Sequence, residues 1–225
     1  MTSLVTRHRE VAAQGTVALT PVADPSAFGV VVTDHEGRVT EFVEKPAPGT
    51  APSNEINAGT YVLEPSFLDR VTPDVPVSIE RVVFPAMAAD GTLFAVADRS
   101  YWIDAGTASA YLQANLDAID GTRAITLPSE VRGSTLALDL AAVSETAEVH
   151  HSVLGVRTEV CDGARVAGSV LLDGAVVGVG AVVEDSIVGP NAVVGAHATL
   201  RANCVIGEAA VVADGALLAG ARVEP

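Results

Sequence analysis

Lys45 is the single lysine of this 225-residue chain, which otherwise draws its strong cations from twelve arginines. An ammonium is a compact point charge on a flexible stem and a guanidinium is a planar fork. The one departure from Arg therefore points to a position where the compact cation is wanted. It lies in Val43-Glu44-Lys45-Pro46, after a strand-like run and before the Pro/Gly-rich stretch KPAPGTAPSN, where a side chain can project into a cleft from a rigid support. With 13 Lys+Arg against 28 Asp+Glu, the net charge is −15, so an anionic substrate depends on a local positive group of this kind. A chance surface lysine is the plainer alternative. By residue type alone Glu44 reads as a solvated strand-end carboxylate and Asn57 as a turn residue that satisfies backbone groups. Gly29 and Gly59 read as serving strand geometry. Asp104, two residues after Trp102, reads by residue type as a cap for the turn before Thr107. Trp102 reads as a packing anchor for the sheet.

The elements that must position these residues change character along the chain. Every aromatic residue lies at or before Tyr111, and Val, Ala, Gly and Asp dominate the remainder, so two architectures share one chain. The boundary is placed near Gly121, with a first domain over 1–120, a linker over 121–147 and a second domain over 148–225. A short helix is expected from Ser3 to Gln14. Strands are expected at TVALTPV, GVVVT, RVTEFVE and INAGTYVL, with a hairpin through Glu36-Gly37-Arg38. Ser78 to Asp90 reads as a helix N-capped by Ser78 and kinked at Pro85. LFAVAD and SYWID read as strands, and Thr107 caps a helix through Ile119. Alternating strands and helices fit an α/β layer.

The second part carries a repeat. Val188, Val194, Leu200, Ile206, Val212 and Leu218 recur every six residues, with Ala192, Ala198, Cys204, Ala210 and Ala216 two places before the later members. Ser152-Val153-Leu154, Ser169-Val170-Leu171 and Ser186-Ile187-Val188 recur every 17, close to three hexads. This is a hexapeptide array of about four coils, with the aliphatic and small residues inward and Gly155, Gly178, Gly189, Gly195 and Gly207 easing the corners. A second column, Ile187, Val193, Thr199, Val205, Val211, Leu217 and Val223, is expected to face outward as a continuous apolar surface. It either packs on a partner subunit or the first domain, or is ordinary exposed strand.

Four motifs occur in order: DPSAFGVV at 24–31, EFVEKP at 41–46, INAGTYVL at 56–63 and YWIDAGT at 101–107. Together they resemble the sugar-1-phosphate nucleotidyltransferases, nearest to the mannose-1-phosphate guanylyltransferase and NDP-sugar pyrophosphorylase branch, over about residues 3–118. The fold class the resemblance implies is α/β: the C-terminal part of a Rossmann-like, GT-A-like nucleotidyltransferase domain followed by a left-handed parallel β-helix of hexapeptide repeats. The implied reaction is attack of a sugar-1-phosphate oxygen on the α-phosphate of an NTP, GTP in that branch, with release of pyrophosphate. On these terms Lys45 is catalytic and neutralises the sugar phosphate. Asp104 is a Mg²⁺ ligand, Glu44 accepts from sugar hydroxyls, and Gly29, Asn57 and Gly59 line the sugar site.

The glycine-rich GxGTRLxPLT loop of that family is not in this sequence, and GVGAVV at 178–183 lies inside the hexapeptide array. The expectation is therefore sugar-1-phosphate binding, with NTP turnover only if a missing N-terminal half is supplied. Two other readings stand beside it: a regulatory or assembly subunit that binds sugar phosphate without nucleotide chemistry, and a hexapeptide acyltransferase using His197 or the pair His150 and His151 as base. The acidic balance argues against nucleic acid and anionic membrane surfaces as partners, and no apolar run is long enough to span a bilayer. With two cysteines and no disulfide framework a cytoplasmic location is expected, and the outward apolar column makes a homo-oligomer through the β-helix the expected assembly.

Overall fold

The Thr/Val/Leu run Gly15–Pro21 forms β1, the strand on which the first sheet is organised. In the computed structural model, which describes residues 2–129 and 131–225, it is joined by β2 (Gly29–Thr33), β3 (Val39–Glu44), β4 (Glu55–Leu63) and β5 (Leu93–Ala97). The order is β3-β2-β4-β1-β5. β4 is antiparallel to β1 and β5 is parallel to it. β2 and β3 make the expected hairpin, and the single pair Val30↔Ile56 joins β2 to β4. The hairpin tip turns back to β5, where the Ala95 N–H donates to the Gly37 carbonyl at 2.8 Å.

Alternation along β1 sends Val17 and Leu19 to a core shared with Val31, Val39, Phe42, Phe84 and Met87. The helix α1 (Thr2–Glu10) also packs against the sheet. Its Leu4 and His8 are buried, and the His8 ring spans Thr16 Oγ1 at 2.9 Å and Glu64 Oε1 at 3.1 Å.

The helix expected over 78–90 is two pieces. A π-helical turn, Ile79–Val83, runs into α2 (Phe84–Ala89), and the Ser78 hydroxyl accepts from the Arg81 N–H as expected of an N-cap. Pro85 has no N–H to return to the Arg81 carbonyl, and the Phe84 N–H instead reaches five residues back to Ile79. The expected strand SYWID does not form. Side chains take over the local bonds: Asp98 accepts from the Ser100 N–H at 2.8 Å, and the Trp102 indole donates to the Ala58 carbonyl at 3.0 Å.

Contacts divide the chain at Trp102/Ile103 into two compact units. The helix α3 (Ala108–Ile119), N-capped by Thr107 as expected, belongs to the second unit, because its Leu112 and Leu116 pack on Val170 and Ile187. The array also starts earlier than residue 148. Strands Thr135–Ala137, Ala142–Val143 and Glu148–His150 pair in parallel with the next coil, so most of the expected linker is the first coil. The result is a parallel β-solenoid of three sheets and about five turns, rather than four.

Inside it, Val188, Val194, Leu200 and Ile206 are buried with Ala192, Ala198 and Cys204, and the 17-residue ladder Val153↔Val170↔Ile187 is in register. The outer column is not one face. Three hexads make a coil, so its members fall on three sheets: Ile187 and Val205, Val193 and Val211, Thr199 and Leu217. Val223 pairs with Ile206 on the inward side. Ile187 is covered by α3, whereas Val211 and Leu217 stand 69% and 80% exposed.

The corner glycines also have a different reason. Gly155, Gly178, Gly189, Gly195 and Gly207 do not have positive φ; a Cβ on Gly189 would lie 2.6 Å from the Ile206 carbonyl of the next coil. The left-handed corners are held by other residues, among them Gly163, Gly174, Asp185, Asn191 and His197.

Candidate functional site

The end of β3 and the start of β4 bring most of the sequence-derived residues into the first unit. Gly29 and Glu44 are cross-strand partners. A Cβ on Gly29 would stand 2.9 Å from the Phe42 ring and 3.1 Å from Glu44 Oε2, so its missing side chain lets those two groups lie against the backbone of β2.

Glu44 Oε2 is buried and has no hydrogen-bond partner among the described residues, while Oε1 lies 3.8 Å from the Lys45 ammonium. Burial pushes the Glu44 carboxyl up from its ordinary 4.5, the negative charge of Glu80 adds to this, and Lys45 and Arg81 oppose it. Lys45 itself has φ +49, a left-handed conformation that costs a non-glycine residue energy, and its side chain is 58% exposed. Its N–H donates to the Phe28 carbonyl at 2.9 Å, which pins the strained residue where the strand ends.

Asn57 is 6% exposed and fully engaged as a donor. Its amide nitrogen donates to Tyr61 Oη at 2.7 Å and to Glu80 Oε1 at 2.6 Å, and its oxygen accepts from the Gly59 N–H at 3.0 Å. Gly59 has φ +75, and open space lies where a Cβ would be. Burial raises the Tyr61 hydroxyl above its usual pKa, with Asn57 pulling the other way. A cavity of about 200 Å³ includes Ala18, Thr20, Ala58, Thr60 and Trp102 in its lining, and Phe28 meets the Trp102 ring edge-on at 5.7 Å.

Tyr61 and Glu80 are the members that motif reading missed. Period-two alternation along Asn57-Gly59-Tyr61 could have placed Tyr61 on the Asn57 face. Glu80 carried no signal beyond its place in the first turn of a helix, because its role depends on a contact 23 residues away.

Asp104 lies in the second unit. Its Oδ1 accepts from the Gly106 N–H at 3.0 Å, closing a turn just before the Thr107 cap. Among the described residues no group of three His, Cys, Asp or Glu side chains could hold a metal. One aspartate with a free oxygen fits Mg²⁺ only as part of a shell completed by substrate phosphates and water. His197 sits at a left-handed corner, above Gly180, and His151 pairs with Asp120 at 3.0 Å. Cys161 and Cys204 are free thiols. Among the described residues no helix is long and apolar enough to cross a membrane.

Residues 1–121 match the nucleotidyl transferase family, and residues 131–225 match the GMPPB C-terminal domain. The chain belongs to the nucleotidyl transferase family. Within that family it is 39% identical over 177 residues to a mannose-1-phosphate guanylyltransferase of Mycobacterium tuberculosis, covering 77% of this chain and 49% of the relative. It is 42% identical over 110 residues to the mannose-1-phosphate guanylyltransferase catalytic subunit beta of Dictyostelium discoideum, covering 48% of this chain and 30% of that one. A mannose-1-phosphate guanyltransferase of Schizosaccharomyces pombe is 45% identical over 107 residues, covering 47% and 29%. The match thus spans about half the length, or less, of these relatives.

Proposed function

We propose that this nucleotidyltransferase chain carries the sugar-phosphate side of a mannose-1-phosphate guanylyltransferase reaction. A phosphate oxygen of the sugar 1-phosphate attacks the α-phosphorus of GTP, the bond to the β-phosphate oxygen breaks, and pyrophosphate leaves with the electron pair. The carrying observation is the Glu44–Lys45 pair: a carboxylate held at a strand end, its Oε1 3.8 Å from the exposed ammonium of the chain's single lysine. Glu44 Oε1, which faces the Lys45 ammonium, can accept from a hydroxyl, and the exposed ammonium can meet a phosphate at the same strand end.

Gly59 gives a ligand backbone to lean on, and Trp102, anchored to Ala58, backs that backbone. Asp104, by its motif, would be one ligand of a Mg²⁺ ion, which would supply neutralisation of phosphate charge. No covalent intermediate is needed, since orientation and electrostatic stabilisation suffice for phosphoryl-type transfer. The chain would act in a reducing cytoplasm, as an oligomer through the solenoid.

Titration calorimetry with mannose 1-phosphate tests the reading. Lys45→Ala should weaken binding by about tenfold or more, equivalent to one charge-assisted contact. An unchanged affinity would remove Lys45 from the site. Pyrophosphate release by the purified chain with GTP at full enzymatic rates would overturn the division between sugar and nucleotide sides.

A further inference from the structure

The amide of Asn57 is a saturated hub. Both of its hydrogens are spent, on Tyr61 Oη and Glu80 Oε1, and its oxygen receives the Gly59 N–H. A carboxylate can only accept, so Glu80 dictates which end of the amide faces it and therefore aims the oxygen at Gly59. Gly59 needs such an aim: it is left-handed, and nothing lies within 4 Å of the place its Cβ would occupy, so packing does not hold it on that side. Glu80 is itself fixed in the π-helical turn that begins at the Ser78 cap.

We propose that Glu80 is a positioning residue, clamping Asn57 and through it the left-handed turn at Gly59, so that the β4 backbone offered to the sugar keeps one shape. The ligand part rests on the function proposed above; the clamp itself does not. The negative charge of Glu80 is felt at the Glu44 carboxyl, where Lys45 and Arg81 oppose it, and at the Tyr61 hydroxyl across Asn57.

The test uses the intact chain, with nuclear magnetic resonance on the Gly59 amide and the Asn57 side-chain amide, and calorimetry with mannose 1-phosphate as probe. Glu80→Ala should move both resonances and speed hydrogen exchange at Gly59 about tenfold, as expected for the loss of one charge-assisted bond in the chain of contacts. Glu80→Gln keeps an acceptor in place and should restore both signals. Affinity should fall about tenfold in Glu80→Ala and stay within about twofold in Glu80→Gln. If Glu80→Ala does not fold, Glu80→Asp, one methylene short, should show the same displacement in smaller degree. Unmoved Gly59 and Asn57 signals in the alanine variant, or in the aspartate variant where it is the one that folds, overturn the clamp. So does failure of glutamine to restore them. If the wild-type chain gives no heat with the sugar phosphate, the proposed function falls, and the resonances alone decide the clamp.

Discussion

At Glu44 two pressures act on one carboxyl, burial first and then the negative charge of Glu80, with Lys45 and Arg81 partly compensating. A carboxyl whose folded pKa lies above its unfolded value holds its proton more tightly when folded. Its contribution to stability is therefore most favourable at acid pH. It declines as pH rises through the window that opens at the unfolded value and closes above the raised one. Glu44→Gln removes this dependence. The variant should match wild type near pH 4 and exceed it in denaturation midpoint near pH 7, by an amount read from parallel urea titrations at about those two values. Equal midpoints at both would mean that the carboxyl is not held up. Gly29→Ala acts on the same group sterically. The new methyl would press on Phe42, which is in the core, so about 1–3 kcal/mol of stability should be lost and Glu44 displaced, measurable by denaturant melts and sugar-phosphate affinity.

Among the elements, the solenoid separates two uses of glycine that look alike in sequence. Gly189 has the Ile206 carbonyl where a Cβ would go, whereas Gly163 has open space and φ +65. Gly189→Ala should therefore cost about 1–3 kcal/mol by forcing two coils apart. Gly163→Asn should be nearly neutral, because asparagine tolerates the left-handed region, as Asn191 already does. Thermal melts of the two variants decide the matter, and the reverse ranking would refute the assignment. The cap on α3 is simpler: Thr107→Ala loses the bond to the Ala110 N–H and should cost about 1 kcal/mol. Strands with clear alternation, the β2–β3 hairpin and the Ser78 and Thr107 caps were all legible in the sequence, because their signals are local. The strand expected at SYWID failed because Asp98 and Trp102 offered the backbone non-ladder bonds that β-propensity does not register. The π turn likewise came from the Phe84 N–H reaching back to the Ile79 carbonyl, just before Pro85, which has no N–H to offer.

For the whole molecule, the division falls ahead of α3, so the helix travels with the solenoid. The fragment 103–225 should consequently fold alone, with a cooperative melt by circular dichroism, since it carries its own continuous core from Leu154 to Val212. Within it, Leu112→Ala should cost about 2–3 kcal/mol and expose Val170 and Ile187, because an apolar contact between helix and outer sheet is truncated. A fragment without a cooperative transition would show that the second unit depends on the first.

The composition break, the six-residue and 17-residue periods and four ordered motifs determined by themselves the pairing of an α/β layer with a solenoid, and singled out Glu44, Lys45 and Asn57 as candidates. Periodicity and short motifs are properties of neighbours along the chain, which is why they can be read from it. The solenoid's early start, the scattering of the outer column over three sheets and the capture of Asn57 by Glu80 were decided only in the tertiary structure. Each depends on groups that meet in space across many residues, and a hydrogen bond between side chains 23 positions apart leaves no period behind.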